Sequence, residues 1–236
     1  MDASVGAGTE DDVGRAQFPC ALPLTVPAMA DRYPNFHALR QSEVEGRDYA
    51  IAVQQRQSHV AILAPHGGFI ETGTTAIAQA IAADVLSYYS FSGLKPGNNQ
   101  DLHITSTCFD EPRCHALIDT AHSVLTVHGE ISNRDVVFLG GLDDALGAHL
   151  ERALSACGFQ VEPHHNPRLQ GRHVQNICNL GRSGRGVQLE LSRGLRSSLF
   201  LDHNSPAELV ATPRLQVFAE AVRLGIQARY AGTHAA

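Results

Sequence analysis

Apolar and polar positions along this chain fall into blocks whose period changes in a regular order. Asp48 to Gln54 reads as a strand, and the apolar run Val60 to Ala64, bounded by proline, as a second. Thr74 to Leu86, rich in alanine and isoleucine, has helical spacing, and Tyr88 to Phe91 follows as a short aromatic strand. Leu102 to Ser106 predicts another strand, and Pro112 to Ala121 a helix opened by proline. Ser123 to Val127 is an apolar strand ending at His128-Gly129, and Val136 to Leu139 one ending at Gly140-Gly141. Leu142 to Cys157 is helical and stops at Gly158, and Phe159 to Val161 is a short strand. The polar stretch from Pro163 to Arg185 reads as a long loop. Gly186 to Leu191 alternates as a half-buried strand does, and an amphipathic helix runs from Pro206 to about Tyr230.

Strands alternating with helices at this spacing predict an α/β fold, a three-layer sandwich with a mixed, largely parallel twisted sheet flanked by helices. In such sheets ligands bind outside the carboxyl ends of the strands. His66, His128 and Gly140 each follow an apolar strand, so they are expected to share one edge.

Length and composition bound this picture. The 236 residues suit a single α/β domain over 31–236 behind an irregular leader, 1–30. That leader carries acids, glycines and the prolines Pro19, Pro23 and Pro27, without a basic start or an apolar stretch. It lacks the pattern of a secretory signal, and a cytoplasmic location is expected, with release by lysis if the chain is phage-derived. Hydrophobic content of 43% supports a sizeable core, and no apolar run reaches the ~18 residues of a membrane span. A net charge of −6 argues against broad nucleic-acid binding. The five cysteines, an odd number without a CxxC pair, predict small buried thiols in a reducing compartment.

The densest chemistry lies in Ala64-Pro65-His66-Gly67-Gly68-Phe69-Ile70-Glu71, on the loop after the second strand. Imidazole nitrogen and carboxylate oxygen are donors that zinc accepts, and a catalytic zinc needs three protein ligands and a position for water. The competing reading is a tight turn whose histidine bonds the backbone. His128, at the end of a buried strand and followed by glycine, completes a His₂Glu set, with His122 and Glu130 as nearby competitors. Glu190, alternating with Gln188 on its strand, is either a base for water or a solvent-facing glutamate on an edge strand. His103, at the beginning of its expected strand, is set aside as a ligand. Asp110 or Glu111 is a candidate to orient a metal-binding histidine, and Asp110 equally a candidate to cap the following helix. Between Arg168 and Arg196 lie six arginines and one acid, Glu190, a local positive patch suited to carboxylates. There is no Gly-x-Ser-x-Gly elbow.

Several segments, in order, resemble the phage and bacterial poly-γ-glutamate hydrolases. They are Pro65 to Thr74, Tyr89 to Leu94, Leu102 to Pro112, Val127-His128-Gly129, Gly140 to Asp143, and Asn176 to Asn179 through Gly186 to Arg196. The resemblance covers roughly Tyr33 to the C-terminal helix. It implies a zinc-carboxypeptidase-like fold with one Zn²⁺ per chain, held by His66, Glu71 and His128, with Glu190 as general base. It also implies hydrolysis of γ-glutamyl amides in an anionic polymer. The spacing of His66 and Glu71 departs from the His-x-x-Glu of classical zinc carboxypeptidases. Where those enzymes often carry an Asn-Arg pair for the substrate carboxylate, Asn179 is followed here by Leu180, so that role would fall to Arg182 or Arg185, or be absent; Asn179 and Arg193 are the other substrate-binding candidates. Two rival functions remain: a zinc amidohydrolase acting on a small N-acyl amino acid or aminoacyl ester, and a non-catalytic binding module. Neither nucleic acid nor a membrane is an expected partner, and the oligomeric state is left open.

Overall fold

The structure, a computed structural model, describes residues 31–202 and 209–231. The expected leader, Cys20 and Pro206 lie outside the described residues. Seven strands form one sheet: β1 (Tyr49–Gln54), β2 (Val60–Gly68), β3 (Ser87–Gly93), β4 (Ser123–Glu130), β5 (Val137–Gly141), β6 (Val161–Glu162) and β7 (Val187–Ser192). Their spatial order is β1-β3-β2-β4-β7-β5-β6. The inner strands β3, β2, β4 and β7 run parallel, β1 is antiparallel to β3, and β5 is antiparallel to β7. This is the mixed, largely parallel sheet expected.

Helices cover both faces because the inner strands are apolar on both sides. On one face α2 (Thr74–Ala82), α4 (Asp144–Ala156) and α6 (Pro213–Tyr230) pack Ile77, Leu150 and Phe218 over Ile62, Leu125 and Leu189. On the other, α1 (Phe36–Leu39) and α3 (Pro112–Thr120) enclose Leu63, Tyr89, Phe91 and Phe109. A short α5 (Arg193–Ser198), absent from the periodicity, follows β7 directly.

Three expectations are corrected. Residues 102–106 form no strand: a 3-10 turn over Asn99–Leu102 leads into irregular backbone. The last helix begins at Pro213, the proline that occupies its first turn. Cys108 is disulfide-bonded and Cys157 is exposed, so only Cys114 and Cys178 among the described cysteines are the buried thiols expected. No helix among the described residues is long and apolar enough to cross a membrane.

The chain leaves β2 toward β3 on one side and returns beyond β2 to β4 on the other. The carboxyl ends of β2 and β4 therefore flank the point where the winding reverses, the place where an open α/β sheet forms a crevice.

Candidate metal centre

His66 sits on the last stretch of β2, where the pairing with β3 shifts register between Ala64 and Gly67. The turn that follows is tight: Gly68 takes a φ of 62°, and a Cβ there would lie 2.3 Å from the Gly93 carbonyl oxygen. The Glu71 amide donates to the His66 carbonyl at 2.9 Å, which brings the carboxylate back under the imidazole. Thr74 Oγ1 donates to the Glu71 carbonyl and ties the turn to the start of α2. The spacing of five that departs from His-x-x-Glu is thus accommodated by the glycine turn.

His128 arrives from β4. Its Nδ1 lies 3.1 Å from His66 Nδ1, which in turn lies 3.1 Å from Glu71 Oε1. His128 Nδ1 is 3.8 Å from Glu71 Oε2. The other Glu71 contact is fixed, since Oε2 accepts the Gly129 N–H at 2.7 Å. His66 Nε2 donates to the Ile104 carbonyl at 2.9 Å, which leaves its Nδ1 lone pair aimed at the other two donors. Both imidazoles are buried, and His128 Nε2 has no hydrogen-bond partner.

Three acceptor atoms facing one point repel each other unless a cation lies between them. Three donors on one zinc at ~2.0–2.1 Å sit about 3.3 Å apart in a tetrahedron, close to the separations seen here. The residues present therefore fit a metal ion. Their titration carries the same signature. Burial pushes His66 down, but the Glu71 carboxylate and its hydrogen bonds outweigh this and raise it. Burial takes His128 down to about 3. Burial pushes Glu71 up, yet the neighbouring histidines hold it at about 2.

Glu190 pairs in register with His128, so the two side chains stand side by side on the same face. The edge-strand alternative is corrected: β7 lies between β4 and β5, and Glu190 is only 5% exposed. Gln188 Nε2 donates to its Oε1 at 2.9 Å. Burial, followed by the Glu71 charge, raises its pKa well above the ordinary carboxylate range.

The expected substrate-binding residues separate. Asn179 is buried and saturated: its amide donates to Gly171 and His173 carbonyls and accepts from Leu142 and Gly186 amides. Arg182 and Arg185 are exposed at the opposite end of the sheet, where the Arg182 amide donates to Ala121 and Ser123 Oγ to the Arg185 carbonyl. Five residues of strand, about 16 Å, separate Ser123 from His128. Arg193 alone is exposed beside the carboxyl end of β7. Gly140 is also displaced from the shared edge. Because β5 is antiparallel to β7, Gly140 and Gly141 lie beside Gln188 and Val187 at that strand's beginning.

Other roles fall to residues the sequence did not mark. The cap expected of Asp110 is corrected: Glu111 caps α3, while Asp110 accepts the Phe36 amide at 2.5 Å, so neither orients a histidine. That task belongs to Ile104. Arg196 is buried and donates to the carbonyls of Leu191, Thr72 and Glu130. It ties β7, the Glu71 turn and the end of β4 together. His103, set aside earlier, stacks its ring 4.0 Å from that of His66. Irregular backbone gave no periodicity from which to place it.

Known proteins are similar to this chain in sequence and fold. The Bacillus subtilis protein YndL is 36% identical over 176 residues, covering 72% of this chain and 67% of its own. The chain spans 67%, 62% and 73% of the curated B. subtilis relatives it matches. A bacteriophage poly-γ-glutamate hydrolase structure superposes with a TM-score of 0.81 at 31% identity, over 86% of this chain and 100% of that one. Zinc-free YndL superposes at 0.79 and 34% identity, over 85% and 100%. The family model for poly-γ-glutamate hydrolase matches residues 33–221, and the chain belongs to that family.

Proposed function

We propose that this chain is a zinc-dependent hydrolase of γ-glutamyl amide bonds in poly-γ-glutamate or related γ-linked oligomers. The observation that carries this reading is the convergence of His66, Glu71 and His128 on one point with Glu190 beside them, in a chain of this family. One zinc per chain would be held by that trio, as the description of a related structure as zinc-free also suggests. A zinc ion there would supply Lewis acidity toward the scissile carbonyl and lower the pKa of water toward ~7.

The protein's own groups do the rest. Glu190 is held rigidly by its strand and by Gln188. From that position it would take a proton from the attacking water and return it to the departing amine. Arg193, at the rim, is placed to meet an α-carboxylate of the polymer. A catalytic role is favoured over a non-catalytic binding module, because a binding surface has no use for a buried carboxylate without a counter-ion in contact beside a ligand trio.

The test is hydrolysis of poly-γ-glutamate by the full chain, with zinc supplied, then with a chelator. Chain shortening that the chelator stops and zinc restores is expected. Unchanged cleavage under chelation removes the metal from the reading, and no cleavage of the polymer with zinc bound removes the substrate.

A further inference from the structure

Beside the ligand trio lies a second pair that the reaction as described does not use. Asp31 Oδ1 is 2.7 Å from His103 Nδ1, and Asp31 Oδ2 accepts the Thr105 amide at 2.6 Å. Between them, Ile104 offers its carbonyl to His66 Nε2. The three consecutive residues 103–105 are therefore pinned from both sides, and the His103 ring is held against the His66 ring at an interplanar angle of 35°. A mere brace for His66 could be apolar and buried. His103 is neither: about a third of its side chain is open (31%), while Asp31 behind it is 17% open.

The hydrogen bonds fix the ring's chemistry. A carboxylate only accepts, so Nδ1 carries the proton that Asp31 receives, and in the neutral ring Nε2 is left with its lone pair. Nδ1 and Nε2 lie on opposite edges of an imidazole, so the edge remote from Asp31 carries the acceptor, on a ring that lies against His66 and is partly open. A γ-linked glutamyl chain offers one amide N–H per residue.

We propose that Asp31 and His103 are part of the substrate-contacting surface of this site, Asp31 setting the imidazole tautomer and His103 Nε2 accepting the amide N–H of the γ-glutamyl chain beside the scissile bond. This rests on the reading of the chain as a γ-glutamyl hydrolase. The role is one of orientation: the bond fixes the rotation of the amide plane against the ligand cluster, and no proton is transferred.

Asp31→Asn gives a specific test. The Thr105 N–H still needs an acceptor, so the asparagine must turn its oxygen there and its NH₂ toward His103. The ring then has to accept at Nδ1 and carry its proton on Nε2, inverting the tautomer. In the zinc-loaded full chain, ¹⁵N spectra of the imidazole should show the proton on Nδ1 in the wild type and on Nε2 in Asp31→Asn. Asp31→Asn and His103→Ala should each lose at least tenfold in kcat/KM on γ-glutamyl oligomers, with zinc content and thermal midpoint close to wild type. A wild-type proton on Nε2, activity of His103→Ala within twofold of wild type, or activity lost only in step with zinc would each overturn the proposal. If the zinc-loaded wild type leaves γ-glutamyl substrates uncut, the underlying reading falls and takes the proposal with it. An active wild type with an equally active His103→Ala sinks the proposal alone.

Discussion

Glu190 is a carboxylate that water never reaches freely, set one strand from His128 and two from His66. Removing only its charge isolates its role. Glu190→Gln should lower kcat by about 10²–10⁴-fold, the usual worth of a positioned acid–base group, while leaving zinc content intact. Retained turnover would take the base elsewhere. His128 supplies a second residue-level test through pH. Its folded pKa, about 3, is below the ordinary histidine value of 6.5. The folded chain therefore binds fewer protons than the unfolded chain between those two values. Its stabilising contribution is complete above pH 6.5 and is lost as pH falls toward 3, at up to about 1.4 kcal/mol per pH unit. In metal-free protein, His128→Gln should flatten the decline of the thermal midpoint between pH 7 and 4. An unchanged slope would show that another group carries it. The raised pKa of His66 acts with the opposite sign, and Glu71, which His128 helps to hold low, adds its change mainly below its ordinary value of 4.5, so the slope above pH 5 is the one that reports His128.

At the scale of elements, the site depends on how strand ends meet. Gly129 closes β4 where a Cβ would lie 2.8 Å from Arg196 Cζ and 3.0 Å from Glu71 Cβ. Gly129→Ala should cost about 1–3 kcal/mol through overpacking, and it should loosen zinc binding, because the same amide holds Glu71 Oε2. Chemical denaturation and chelator competition read the two effects; wild-type zinc affinity would show that Glu71 needs no such wedge. Much of this level was legible in the sequence. The strand before His66 and the strand before His128 are strongly apolar, and buried parallel strands have no other composition. Residues 99–106 were illegible, because a 3-10 turn and extended backbone carry no period. His103 was misplaced for that reason, and the carbonyl that orients His66 went unmarked. Gly140 was misassigned for a different one: a pattern of apolar residues marks a strand without its direction, so the reversal of β5 was invisible.

For the whole molecule, charge and topology decide where a polyanion can lie. The net charge is −6, yet the arginines that cluster in sequence from 168 to 196 divide in space. Arg182 and Arg185 face the solvent at the end of the sheet remote from His128, Arg196 is committed to three carbonyls, and Arg193 stays at the rim. Proximity in sequence overstated the patch because the 163–186 segment runs the length of the sheet. Arg193→Ala should raise KM for γ-glutamyl oligomers about tenfold, the order of one charged hydrogen bond. Arg182→Ala with Arg185→Ala should leave KM on the same short oligomers within twofold; a rise equal to that of Arg193→Ala would place the substrate along the opposite end. The three-layer sandwich itself was readable from the order of strands and helices, whereas the partition of charge required the fold.

The order of the strands has one more consequence. His66, Glu71 and His128 all precede the exposed connection at 131–134, whereas Glu190 follows it, and the two groups meet only because β4 and β7 are neighbours. The half proposed to hold the ion and the half proposed to handle the proton thus reside on successive parts of the polypeptide. Arg196, which ties the Glu71 turn and the end of β4 to β7, also follows that connection, so the site is in effect an internal complementation between two fragments that never separate.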